Sequence, residues 1–236
     1  MTTTLLKKNA LALSGLLAAG YIPLMLSSTQ LSSLTLVIAY SIALLSLNVL
    51  LGSAGQISLG QFAFVGTGAF LTLQLGARGW PQPVAILVGA LGVAAIAALV
   101  GLPSLRIKGL AVGIATLVYG IAAEKYLFAQ TWFNGSDKGL GVEVAFLHED
   151  AFANYLVAFA FLVLVLLMDR ALRDSKLGRA FVVTRDGEER AVAFGVEPGF
   201  SKLRAYALSG FIAGIAGGII LYLGGQASAG DFTVLQ

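Results

Sequence analysis

The chain has 236 residues, of which 58% are hydrophobic and 11% are charged, with a formal net charge of +3. Soluble domains are about one quarter charged, so this composition excludes an ordinary water-soluble domain. The absence of cysteine excludes disulfides, thiolate metal sites and cysteine nucleophiles. No dense basic patch is interleaved with aromatic residues, which argues against nucleic-acid binding.

Hydrophobic segments follow one another along the chain, most of them close to the length of about 20 residues that a transmembrane helix needs. They show neither the polar face of a soluble helix nor the alternation of a membrane-spanning strand. We therefore predict an all-α, polytopic transmembrane helix bundle of about seven spans. The predicted spans are Ala10–Leu26, Leu34–Leu51, Phe62–Leu75, Val84–Val100, Leu110–Phe128, Phe152–Met168 and Ala205–Leu223.

Basic residues are unevenly distributed over the segments between the spans. If the N-terminus lies in the cytoplasm, 12 of the 15 Lys and Arg residues fall on the cytoplasmic side, which the positive-inside rule favours. The loop Ala129–Ala151 is then external, and residues 169–204 form the main cytoplasmic segment of one domain, 1–236. The first span follows a basic N-terminus and can also be read as a signal peptide, but no good cleavage site follows it.

A glycine-rich segment follows the second span: Gly52-Ser53-Ala54-Gly55-Gln56-Ile57-Ser58-Leu59-Gly60-Gln61. Irregular backbone at membrane depth persists only where protein or a water-filled cavity satisfies its polar groups. We therefore predict a pathway or re-entrant segment, with a plain interfacial turn as the alternative. It is not a phosphate loop, because no Gly-Lys-Ser/Thr follows. The candidate residues are Gly55, Gln56, Ser58, Gly60 and Gln61.

Charged side chains are concentrated in one stretch. Fourteen of the 27 fall between Asp169 and Arg204, whereas none occurs from Asn9 to Ala77. A membrane chain collects charge in this way where it binds something outside the membrane, so this stretch is the strongest indication of function. The alternative is an ordinary solvated loop.

A short helix is predicted inside this charged stretch. Asp186-x-x-Glu189 is a capping signature, and Glu188 and Glu189 suit the positive end of a helix dipole. Gly195 is placed to end the helix. We expect about eight residues, a length that is marginal unless the helix packs against its own domain or a partner.

Glycine spacing in the last span indicates close helix packing. Gly210, Gly214 and Gly218 recur every four residues, and small residues at this spacing let helix backbones approach in lipid. We predict packing within the subunit, with a dimer interface as the alternative. Glu124 and Lys125, at the outer end of the fifth span, either line a pathway or reach the interface.

Three separated segments resemble one family. Glu189-Arg190-Ala191-x-x-x-Gly195 resembles the Glu-Ala-Ala-x-x-x-Gly loop of ABC-importer permeases, with Arg190 in place of the first Ala. The run from Gly178-Arg179-Ala180 to Gly195-Val196 and the Gly52–Gln61 segment are similar to the branched-chain amino-acid permease family. Asn134-Gly135-Ser136-Asp137-Lys138-Gly139-Leu140 is similar to that family's external Gly-Gly-Ser-Asp-Gly-Leu turn.

The resemblance implies a permease subunit of an ATP-binding-cassette importer for branched-chain or related small amino acids, in a bacterial inner membrane. It implies three kinds of partner: ATPase subunits, which hold ATP and Mg²⁺, a second permease, and an external binding protein that Ser136 and Asp137 contact. This chain would be a transport subunit without cofactor or catalytic residues, surrounded by membrane lipid. The residues expected to couple it to the ATPase are Arg185, Asp186, Glu188, Glu189, Arg190, Ala191, Phe194 and Gly195.

Other functions stay open at this point. Urea and simple-sugar importers have similar permeases, and an ion-coupled secondary transporter would show an embedded acid or matched broken helices. A structural scaffold would transport nothing. No nucleophile with a nearby base is seen within the spans, which argues against an intramembrane enzyme. Because family members continue with further helices, we expect the sequence ending at Gln236 to be partial.

Overall fold

The regular structure is entirely helical in the residues that the computed structural model describes, 25–107, 109–130 and 151–224. The fold class predicted from the sequence is therefore confirmed. The helices are α1 (Ser28–Leu47), α2 (Gln61–Gly76), α3 (Gln82–Val100), α4 (Leu110–Ala122), α5 (Ala151–Asp174), α6 (Lys176–Asp186), α7 (Glu188–Ala193) and α8 (Pro198–Gly224). Helices α1 and α4 continue as π-helical turns, Asn48–Ser53 and Ala123–Leu127, and a 3-10 turn, Leu102–Leu105, follows α3.

Most of the long helices match the predicted membrane spans. Within the described ranges, five helical stretches are long and apolar enough to cross a membrane. Helix α2 coincides with a further predicted span but has only 16 residues. The first predicted span, Ala10–Leu26, lies almost wholly outside the described residues. The five stretches are Ser28–Ser53, Gln82–Val100, Leu110–Leu127, Ala151–Asp174 and Pro198–Gly224.

Hydrogen bonds between distant residues define the two ends of the bundle. At one end, Arg185 in α6 donates to the carbonyl oxygen of Gly52, just after α1. At the other, Gln82 Nε2 donates to Asn154 Oδ1 at 3.4 Å, which brings the starts of α3 and α5 together. Helix α1 therefore ends beside α6, and α3 and α5 both begin at the opposite end. We call the end that carries α6 and α7 the basic end.

Helix α8 lies at the centre of the bundle, against α1, α2 and α3. Its glycines permit this position: a Cβ added at Gly214 would lie 2.7 Å from the Cα of Ala90 in α3. On the α2 side, a Cβ at Gly68 would lie 2.6 Å from the Cα of Gly214. Gly210 and Gly218 also face α3, so the glycine stripe packs within the subunit, as predicted.

The segment 169–204 is helical over most of its length rather than a loop. Helix α5 continues to Asp174 and α8 begins at Pro198, so each extends about two turns beyond its predicted span. A prediction from hydropathy ends each span at the first charged residue. The helix itself can continue beyond the membrane, because charged side chains are tolerated there. Arg173 Nη2, for example, lies 2.8 Å from Asp169 Oδ2, one turn earlier in α5.

Candidate functional site

The charged segment folds into two short helices that meet at Gly187. The N-cap of helix α6 is Ser175, whose Oγ accepts a hydrogen bond of 3.1 Å from the Gly178 amide. The helix buries Phe181 against the bundle. Helix α7 follows after Gly187 and has six residues. Only the second of these helices was predicted from the sequence.

The predicted start of this second helix is wrong. Asp186 is the last residue of α6, and Gly187 is the N-cap of α7. Asp186 is helical and therefore does not cap a new helix; its Oδ1 instead accepts a 3.2 Å hydrogen bond from Arg185 Nε. Glu188 and Glu189 do occupy the first turn of α7, as predicted, where they suit the helix dipole. The helix is correspondingly shorter than the expected eight residues.

The predicted end of α7 is confirmed. Gly195 has a φ of +72°, a conformation that glycine adopts without steric cost. The amide of Gly195 donates to Val192 O at 2.9 Å and that of Val196 to Ala191 O at 2.8 Å, which is the Schellman pattern. A helix too short to persist alone is therefore held at its C-terminal end by a defined cap.

Helix α7 presents one side to the bundle and one side outward. Ala191 is completely buried, whereas Glu189 and Arg190 are exposed. Val192 and Phe194 are also exposed, by 63% and 76%, although they lie outside the candidate membrane spans. The outward face thus combines two apolar side chains with one acid and one base. We call this set, Glu189, Arg190, Val192 and Phe194, the α7 outer face.

The two motifs singled out in the sequence meet at one pocket. Its volume is about 420 Å³. Gly55, at φ +65°, lies against the aliphatic part of Arg185, whose Nη1 donates to Gly52 O at 2.7 Å. Acidic and basic side chains both line the pocket, so its wall is of mixed charge. The lining residues are Gly55, Gln56, Thr184, Arg185, Asp186, Gly187, Glu188, Glu189 and Arg190.

The connection between α1 and α2 runs from this pocket into the bundle. The amide of Leu59 donates to Thr116 Oγ1 in α4 at 2.9 Å, and the hydroxyl of Tyr206 in α8 lies 3.5 Å from Ile57 O. Neighbouring helices therefore satisfy polar groups of this irregular backbone, as expected for such a segment among apolar helices. Ser58 Oγ is buried and has no hydrogen-bond partner among the described residues.

Gln61 lies deeper, where α1, α2 and α8 come together. Its Nε2 donates to Ser46 Oγ at 2.8 Å and to Ser209 Oγ at 2.9 Å. Each serine uses its single proton elsewhere: Ser46 donates to Ala43 O and Ser209 to Ser46 O. Both hydroxyls must therefore accept from Gln61, which fixes the orientation of its amide.

The five candidate pathway residues do not form one site. Gly55 and Gln56 line the pocket, whereas Gln61 joins three helices inside the bundle. Gln61 Oε1 is buried without a partner among the described residues. A pathway role for this segment stays a prediction.

Two other predicted features are the binding-protein contacts and the Glu124–Lys125 pair. Ser136 and Asp137, the expected contacts of a binding protein, are outside the described residues. Lys125 Nζ lies 2.9 Å from Glu124 Oε1 within the π-helical turn after α4, and the lysine side chain is 66% exposed. In the described part of the chain, no three His, Cys, Asp or Glu side chains are grouped to hold a metal ion.

Lys202 is a further residue of this region that was not predicted from the sequence. Its side chain is 5% exposed, and its Nζ lies 2.7 Å from Glu188 Oε1 at the start of α7. The same Nζ donates to Ser104 O at 2.9 Å. In the sequence, Lys202 looks like an ordinary solvated lysine in the first turns of α8. Neither Glu188 nor Ser104, its two partners, is close to it along the chain.

Comparison with known proteins assigns the family. The family described as branched-chain amino acid transport system / permease component matches residues 29–236. The high-affinity branched-chain amino acid transport system permease protein LivM of Escherichia coli (strain K12) is 29% identical over 246 residues, 91% of this chain and 57% of that protein. LivM of Salmonella typhimurium (strain LT2) is 30% identical over 247 residues, with the same coverage.

The matches cover most of this chain but only part of each curated relative. The chain spans 57% of the length of the two curated relatives. No solved structure matches the chain at a significant level. The family match extends through α1 to α8 and over most of the sequence. The chain therefore belongs to the family of permease components of branched-chain amino acid transport systems.

Proposed function

We propose that this chain is a transmembrane subunit of an ATP-driven importer and that a partner ATPase binds the α7 outer face. On this proposal, ATP and Mg²⁺ bind to the partner, and the permease chain converts closure of the ATPase into movement of its helices. The substrate is a branched-chain amino acid or a related small amino acid. The names of both curated relatives support this substrate class.

The observation that carries the proposal is the exposed apolar pair on α7. Val192 and Phe194 are largely open to solvent, outside the candidate spans, on a helix with a defined C-terminal cap. Aromatic residues and arginine are enriched in the cores of protein interfaces. Phe194 beside Arg190 therefore has the composition of a docking surface, on a helix that its own bundle already holds in place.

The charge distribution supports a cytoplasmic location for this docking surface. Of the 11 Lys and Arg residues in the described ranges, Arg78 and Lys125 flank the opposite end, and the other nine belong to the basic end. The positive-inside rule then favours a cytoplasmic basic end and a cytoplasmic N-terminus in a bacterial inner membrane. A second permease and an external binding protein, contacted by Ser136 and Asp137, complete the proposed importer.

One observation favours an ion-coupled transporter as the second candidate. Glu124 is an acidic residue in a π-helical turn, and its side chain is only 11% exposed. Acids enclosed among membrane helices often bind protons or ions. Family membership favours the ATP-driven importer, and the energy source of transport separates the two.

Co-purification tests the proposed ATPase partner. The intact permease is tagged, extracted in a gentle detergent and analysed by mass spectrometry together with whatever accompanies it. We expect an ATPase and a second permease. Phe194→Ala should weaken retention of the ATPase by about 30-fold, the effect of a 2 kcal/mol interface residue. Tyr126→Ala is the matched control, since Tyr126 is 73% exposed at the opposite end.

Each outcome of these experiments separates the proposed functions. A permease that purifies without any ATPase, or a Phe194→Ala variant that retains it as Tyr126→Ala does, contradicts the docking proposal. Uptake of labelled leucine that requires ATP and resists an uncoupler supports the importer, whereas uptake abolished by the uncoupler alone supports ion coupling. Competition by urea or a simple sugar in place of leucine would reassign the substrate.

A further inference from the structure

Lys202 carries a charge inside the protein and has two partners. Its side chain is 5% exposed, so its ammonium group has lost most of its hydration. An enclosed charge is tolerated only when it is paired and hydrogen-bonded. Glu188 Oε1 supplies the counter-charge at 2.7 Å, and Ser104 O accepts a 2.9 Å hydrogen bond.

These contacts join three separate parts of the fold. Lys202 belongs to α8, the central helix, and Glu188 is the first residue of α7. Ser104 belongs to the 3-10 turn between α3 and α4 and is itself completely buried, with its Oγ donating to Gly101 O at 2.6 Å. One ammonium group thus connects the proposed ATPase-binding helix to α8 and to the turn that links two membrane helices.

We propose that Lys202 is a positioning residue for energy coupling: it holds α7 in register with α8 and the α3–α4 turn. This inference rests on the proposed function. When the ATPase displaces α7, the Glu188–Lys202–Ser104 contacts carry that displacement to the starts of α4 and α8. The pair is open on one side, since the Glu188 side chain is 28% exposed, and ion pairs of this kind often add little net stability. We therefore assign these contacts to transmission rather than to reinforcement.

A purely structural lysine would behave differently from a positioning one. Loss of a structural residue reduces the amount of assembled complex but leaves the assembled fraction with its normal ratio of substrate imported to ATP hydrolysed. Loss of a positioning residue lowers that ratio, because hydrolysis continues while helix movement does not follow. The ratio, measured on the assembled fraction alone, therefore distinguishes the two roles.

The test uses the complete complex in proteoliposomes, with labelled leucine and ATP. Lys202→Met should lower the leucine imported per ATP hydrolysed by about 5-fold or more, which is the smallest effect typical of coupling between two binding sites. Arg204→Met is the matched control, since it removes an exposed charge from the same helix and should leave the ratio unchanged. If Lys202→Met does not assemble, Glu188→Ala is measured instead, because it removes only the α7 contact. An unchanged ratio in the assembled variant overturns the proposal.

A second measurement separates this inference from the proposed function. Amide hydrogen exchange on the purified permease needs no ATPase. Lys202→Met or Glu188→Ala should accelerate exchange at the Gly195 and Val196 amides, which close α7, relative to Arg204→Met. Unchanged exchange overturns the role of Lys202 whatever the partner is. Faster exchange in a permease that binds no ATPase would instead refute the proposed function and leave the Lys202 contacts standing.

Discussion

Arg185 Nη1 donates a 2.7 Å hydrogen bond to the carbonyl oxygen of Gly52, across 133 residues of sequence. The bond joins α6, which lies outside the candidate spans, to the π-helical turn that ends α1. Gly55 leaves room for the arginine side chain, because a Cβ at that position would overlap its aliphatic part. The charged segment and the glycine-rich segment are therefore one structural unit.

Substitution of Gly55 should reveal this contact. Gly55→Ala incurs the cost of a left-handed backbone, about 1–2 kcal/mol, and also displaces Arg185. Gly79→Ala is the matched control, because Gly79 has a φ of +80° but no atom within 4 Å of its added Cβ. We expect Gly55→Ala to lower the free energy of unfolding by about 1–2 kcal/mol more than Gly79→Ala, measured by reversible unfolding in detergent. Equal losses would show that Arg185 adapts freely.

The cap of α7 gives a second prediction. Gly195→Ala places a methyl group in the left-handed region, at a cost of about 1–2 kcal/mol, although the space around it is open. Gly195→Asn should be milder, since asparagine adopts this conformation more readily. Hydrogen exchange at the Val196 amide should therefore be fastest in the alanine variant. The reverse order would mean that the cap does not govern the stability of α7.

Gln61 and Ser209 should be energetically coupled. Gln61→Met and Ser209→Ala each remove the 2.9 Å hydrogen bond between α2 and α8. The double-mutant cycle should give a coupling of about 0.6 kcal/mol, the average measured between membrane helices, and not above about 2 kcal/mol. Gln61→Met combined with Ser104→Ala, which is not a partner of Gln61, should be additive. Additivity of the first pair would contradict the assigned amide orientation.

Close packing of α8 against α3 predicts a difference between two helical glycines. Gly214→Ala brings a Cβ against the backbone of Ala90, which cannot move without separating the helices. Gly92→Ala meets only the terminal methyl of Leu71, which can rotate away. We expect overpacking at Gly214 to cost about 1–3 kcal/mol or more and Gly92→Ala to cost less, measured by unfolding in detergent. A larger loss at Gly92 would contradict the packing.

The sequence predicts those features whose determinants are local. The long helices follow from apolar length, and the end of α7 follows from one glycine, Gly195, whose backbone conformation few other residues tolerate. The glycine spacing in α8 likewise indicated close packing before the partner helix was known. Each of these depends on residues within one helix or one turn.

Features that depend on distant partners could not be predicted. Asp186 has the sequence of an N-cap, but the helix before it continues through Asp186 and leaves capping to Gly187. Lys202 resembles a solvated lysine until folding brings Ser104 to it. The joining of Gly55 to Arg185 is equally invisible, because nothing in either segment specifies the other.

Gly187 alone separates α6 from α7, so the orientation of the second helix depends directly on the first. Helix α6 has 11 residues and is about 16 Å long. A tilt of about 10° at Ser175 would therefore carry Phe194 through about 3 Å, with no flexible linker to absorb the displacement. A small rotation of α6 would thus be amplified into a displacement of the α7 outer face.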